Sequence, residues 1–134
     1  MAPASALATT PFQQKLEEAI QNFKKRKLAA NKYVIESFRN ERRKVSRNRS
    51  LSEATRAEYK KRIDRYIRNF ERSGKFPNIV ESVEMEIEYQ TRLDRAFVPI
   101  SKLLERELKR ANRSDDQSYS EQLLQKKRLS LIHI

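Results

Sequence analysis

The sequence predicts an all-α fold, an elongated helical bundle or helical hairpin array. Three observations carry this expectation. Apolar residues recur at helical spacing over long spans that neither Gly nor Pro interrupts. The 134 residues include a single Gly, so the positive-φ positions of hairpin turns cannot be supplied. Charged residues make up 36% of the chain against 37% apolar, a balance that suits long helices with one apolar face.

Residues 1–10, rich in Ala, Thr and Pro, read as a flexible leader that ends at a helix start. Thr10 and Gln13 form a Thr-x-x-Gln capping box, and Pro11 fits the first helical position, where its missing N–H costs nothing. The first long helix is expected over about 11–45. Its stripe runs Phe12, Leu16, Ile20, Phe23, Ala30, Val34, Phe38 and Val45. Within it Phe12, Phe23, Val34 and Val45 are eleven residues apart, a period of about 3.67 that keeps one face nearly straight. Lys27 and Glu41 interrupt this face, and Asn31 offers a place for a break.

Ser46 to Ser52 reads as a connection with two candidate caps, Ser50-x-x-Glu53 and Ser52-x-x-Thr55. The second, shorter helix is expected over about 52–73, with Tyr59, Ile63, Tyr66, Ile67 and Phe70 on one face; Gly74 stops it and Pro77 follows. The third helix is expected over about 78–112, opened by Asn78 with Glu81. Ile79, Val83, Leu93, Phe97, Ile100, Leu104, Leu108 and Ala111 line its packing face. Pro99 falls inside that pattern without changing its phase, which predicts a kinked helix, with a new helix starting at Pro99 as the second reading. The whole of 11–112 is read as a single helical domain. A polar loop at 113–118 and a weak helix at about 119–129, capped by Ser118, complete the pattern. Ser130 to Ile134 resembles translated read-through of a sequencing adapter; on that reading the tail is non-native and the natural chain longer, and the other reading is an ordinary apolar tail.

Several function classes are excluded by composition. Zinc, haem and thiol chemistry lack their ligands, because there is no Cys and the lone His is His133. Rossmann and P-loop sites need several Gly at fixed offsets. The carboxylates Glu81, Glu84, Glu86, Glu88 and Asp94 have no His partners for a di-iron bundle. The expectation is therefore a non-enzyme with no catalytic residues, no metal, no cofactor and no small-molecule substrate. No apolar run approaches the roughly 20 residues of a membrane span, and no secretory signal opens the chain, so an intracellular, non-membrane protein is expected.

What remains is charge. The net charge is +12. Residues 15–49 hold 12 basic and 4 acidic side chains and residues 50–75 hold 8 and 4, so the excess lies in the N-terminal half. Helical spacing places Lys25, Lys32, Arg39 and Arg43 in a row opposite the first apolar stripe, joined by Arg42, Lys44, Arg47 and Arg49. Lys61, Arg65, Arg68 and Arg72 stand opposite the apolar face of the second helix. Such rows suit a phosphate backbone and carry no base readout. The sequence thus predicts nucleic acid, or another polyanion such as an acidic protein surface, as the partner. The alternative is a scaffold or assembly subunit whose Phe12, Phe23, Val34 and Val45 seam pairs with a partner helix in coiled-coil fashion.

Two shorter signals accompany the charge. Lys24-Lys25-Arg26-Lys27 has the composition of a nuclear-import signal, which would place a eukaryotic protein in the nucleus. Ser46 and Ser50 follow Arg at minus three, and phosphate there would put negative charge into the basic region. One local pattern resembles a known family: Ser52-x-x-Thr55-x-x-x-Tyr59-x-x-x-Ile63-x-x-Tyr66 is similar to the opening helix of the core-binding domain of tyrosine recombinases. The resemblance implies a helical module that grips DNA, and the long third helix departs from it. That family's catalytic residues belong to a separate domain.

Overall fold

The computed structural model describes residues 10–113 and 121–128. It is an all-α helical bundle, with no strand among the described residues. Helix α1 is Pro11–Arg47, α2 is Glu53–Ser73 and α3 is Val83–Arg113, preceded by a 3-10 turn at Val80–Ser82; a further helix, α4, covers residues 121–128. Two compact units are present. One takes its described residues from 10–27, 94–113 and 121–128, and the other is Leu28–Leu93.

Local chemistry sets the helix ends. The capping box at α1 forms in both directions: Gln13 N donates to Thr10 Oγ1 at 3.1 Å and Thr10 N donates to Gln13 Oε1 at 2.9 Å. Ser52, rather than Ser50, caps α2, accepting from Thr55 N at 3.1 Å. Ser50 is turned to Asn48 instead, its hydroxyl donating to Asn48 Oδ1. Gly74 ends α2 at φ 70°, its N–H bonded to the Phe70 carbonyl. That left-handed conformation favours Gly, which lacks the Cβ that penalises it.

The start of α3 differs from expectation. Asn78 does not open it; Ile79 is extended at φ −132° and provides no side-chain cap for the 3-10 turn. The buried hydroxyl of Ser82 donates to the Pro77 and Ile79 carbonyls at 2.8 and 3.0 Å, which holds this segment as a tight turn before α3 begins. Val83, expected inside, is 49% exposed, and Met85 and Tyr89 are buried instead. Pro99 lies within a continuous α3, as its unbroken phase predicts. The cap expected from Ser118 and the tail at 130–134 lie outside the described residues.

In the Leu28–Leu93 unit the core is Ala30, Val34, Phe38, Ile67, Phe70, Met85 and Tyr89. Phe70, Phe76 and Tyr89 meet at ring-centroid distances of 5.1 to 5.6 Å. No break occurs at Asn31, because α1 continues through it and its Oδ1 accepts from the Tyr89 hydroxyl at 2.8 Å. Burial holds the Tyr89 hydroxyl above the ordinary tyrosine pKa. Arg92 lies over the Tyr33 ring at 4.2 Å and adds a second link between α1 and α3. In the other unit Leu16, Phe23, Ala96, Ile100, Leu104, Ala111 and Leu123 are buried, and Phe23 meets Phe97 edge-on at 5.9 Å. Lys127 of α4 bonds Glu105 of α3 at 3.0 Å and holds that carboxyl below its ordinary range.

Candidate nucleic-acid interface

Of the twelve cations singled out above, Lys25 belongs to the first unit and the other eleven to Leu28–Leu93. Arg42 is half-buried and the remaining eleven are exposed. The helical repeat explains their arrangement. Lys32, Arg39 and Arg43 repeat at seven and four residues along α1, and Lys61, Arg65, Arg68 and Arg72 repeat at four, three and four along α2, covering about 16 Å of its axis. Their opposite faces carry Val34 and Phe38 on α1 and Ile67 and Phe70 on α2, all buried.

The cations divide by their partners. Arg42 Nε donates to Asp64 Oδ1 at 2.9 Å, tying α1 to α2. Glu36 pairs with Arg39 at 3.3 Å and with Arg43 at 3.6 Å, and Glu41 pairs with Lys44 at 3.1 Å. Arg43 also bonds Asn40. Arg72 meets only the neutral Asn69 amide, at 3.3 Å. Among the described residues no carboxylate pairs with Lys25, Lys32, Arg47, Arg49, Lys61, Arg65, Arg68 or Arg72. Arg42 is thus a fastener of the fold, and the unpaired set is what remains open to an anion.

Two further cations complete the picture. Arg56 uses one guanidinium nitrogen to bond the Asn48 and Leu51 carbonyls at 3.0 and 2.7 Å, fixing the α1–α2 connection that carries Arg49. Its spacing alone did not distinguish it from the solvated cations of α2. Lys75 shares a concavity of about 520 Å³ with Arg72, Asn69, Ser73 and Asn78 over Tyr66 and Phe76. Its position just past Gly74, one turn from Arg72, was the available signal.

Other expected features are placed as follows. Phe23 and Val34 are buried within their own units, so the seam expected to receive a partner helix is filled there by the chain itself, while Phe12 and Val45 are half-buried. Val45 lines an apolar groove of about 440 Å³ with Phe38, Ile63, Tyr66 and Met85. Tyr59, expected on the packing face, is 39% exposed, with the Arg62 guanidinium 5.7 Å from its ring. Lys24, Lys25 and Arg26 are exposed and Lys27 is half-buried; Ser46 and Ser50 are exposed. Glu88 pairs with Arg92 at 2.9 Å. Among the described residues no group of three or more His, Cys, Asp or Glu is arranged to hold a metal ion, and no helix is long and apolar enough to cross a membrane.

No family model, curated protein or solved structure matches the chain. The resemblance of Ser52 to Tyr66 to the tyrosine recombinase helix therefore rests on those residues alone.

Proposed function

We propose that the protein is a non-enzymatic binder of nucleic acid or a similar polyanion, acting without sequence specificity through the outer faces of α1 and α2. One observation supports this best: the Leu28–Leu93 unit exposes Lys32, Arg47, Arg49, Lys61, Arg65, Arg68 and Arg72 with no carboxylate partner among the described residues. Six of these charges stand on the helices α1 and α2 and Arg49 in the turn between them, an array that suits a phosphate backbone. Release of condensed counterions then supplies the affinity. Lys and Arg on such a surface position the protein, and nothing in the array reads base edges.

Fluorescence anisotropy of a labelled DNA duplex tests the reading. With about six phosphates neutralised, the logarithm of affinity falls with the logarithm of salt at a slope near −5. A protein that leaves both DNA and RNA unbound at about 50 mM salt, where such contacts are strongest, overturns the proposal.

A further inference from the structure

The start of α3 has a chemistry unlike the cationic helices. Residues 76–93 hold four acidic side chains and one basic, whereas residues 28–75 hold 6 and 15. Val80, Val83 and Ile87 are 85%, 49% and 60% exposed. They follow one another at three and four residues, so they share one side of the element. Glu81, Glu84 and Glu86 are exposed around them and have no ion-pair partner among the described residues. Acidic residues at a helix N-terminus stabilise it through the macrodipole, which accounts for carboxylates in this turn but not for three uncovered aliphatic side chains between them.

We infer that this face docks a basic amphipathic helix of another protein. Apolar anchors at i, i+3 and i+7 are the contact pattern by which one helix seats on another. The flanking carboxylates select Lys or Arg around the incoming apolar stripe and reject an acidic one. A second copy of this chain fits poorly. Face to face, two copies would bring Glu81, Glu84 and Glu86 against their own counterparts. The cationic face of α2 carries no exposed large apolar side chain to meet Val83 and Ile87, and the cationic α1 exposes Leu28 alone, one anchor against the three of Val80, Val83 and Ile87. Three side chains also cover only a small part of the about 800 Å² that each partner gives to a stable interface, a scale suited to a single helix. This inference does not depend on nucleic-acid binding.

The test uses a labelled synthetic helix of about 18 residues, long enough to hold helical structure, with a Leu stripe flanked by Lys, and its counterpart flanked by Glu. The expected result is micromolar binding of the Lys peptide and none of the Glu peptide. Ile87→Ser, and separately Glu84→Lys with Glu86→Lys, should each weaken binding about tenfold or more. Circular dichroism verifies that these surface variants fold. Glu17→Lys with Glu18→Lys, an equal charge change in the other unit, should leave binding unchanged. The inference is overturned if the parent ignores the Lys peptide, if the Glu17/Glu18 change weakens binding as much as the Glu84/Glu86 change, or if Ile87→Ser has no effect. Light scattering that reveals a stable dimer abolished by Ile87→Ser would overturn it in favour of a second copy.

Discussion

Arg65 and Arg68 offer the sharpest probe of the cationic faces. Both project from α2 into solvent, and no carboxylate among the described residues pairs with either, so Arg65→Gln with Arg68→Gln removes charge without removing a contact of the fold. Gln is nearly as good a helix former as Arg. If the parent neutralises about six phosphates and the variant about four, the salt slope changes from about −5.4 to about −3.6. Between 50 and 200 mM salt that corresponds to a loss of about 1,800-fold in affinity for the parent and about 150-fold for the variant. Anisotropy with one labelled duplex, titrated at four or five salt concentrations, measures both slopes. The matched control is Lys102→Gln with Arg106→Gln, an equal charge loss on α3 in the other unit. Equal changes in slope for the two variants would refute a localised interface, and an unchanged slope for the Arg65/Arg68 variant would remove α2 from it.

Three further outcomes follow from the fold. Tyr89→Phe removes the donor to Asn31 Oδ1 and should cost about 1 kcal/mol in urea unfolding. Because burial raises the Tyr89 pKa, the unfolded state ionises first, so parental stability falls as the pH climbs through about 10 and the Phe variant lacks that share of the fall. Gly74→Ala meets open space around the new Cβ but keeps φ near +70°, so it should destabilise by about 1 kcal/mol through the backbone alone, with Asn costing less; a neutral Ala variant in urea unfolding contradicts this. The Glu105–Lys127 pair lowers the Glu105 pKa. It therefore favours the docked α4 above the ordinary Glu pKa and is lost as the pH falls below it, so amide exchange of residues 121–128, corrected for intrinsic rate, should quicken relative to α2 between about pH 6 and pH 3.

Much of the fold is legible because its signals are local. Thr10 with Gln13, Ser52 with Thr55, and Gly74 act within one helical turn, so their spacing in the chain is their spacing in space. The stripes on α1 and α2 are similarly read from the 3.6-residue repeat. The start of α3 was less legible, since Asn78 with Glu81 has the form of a cap while the buried Ser82 hydroxyl takes the Pro77 and Ile79 carbonyls and delays the helix. Val83 lies outside because of its phase within α3: at about 100° per residue it falls roughly 100° from the buried Ile100, whereas Met85 and Tyr89 fall within about 60° of it. The candidate interface was legible as a set of cations, because exposure follows from being opposite an apolar stripe.

Sequence by itself determined that the fold is helical, where α1 begins, where α2 begins and ends to within about a residue, and that the charge is concentrated before residue 76. These are properties of neighbours along a helix. The end of α1 was not among them, since the helix runs through Ser46 and Arg47 into the expected connection. Tertiary structure decided which charges are spoken for. Arg42 meets Asp64 across 22 positions, Asn31 is satisfied by Tyr89 across 58, and Phe23 and Val34 are covered by the chain itself. Such partners are set by packing of one helix on another, and the repeat within either helix contains no record of them.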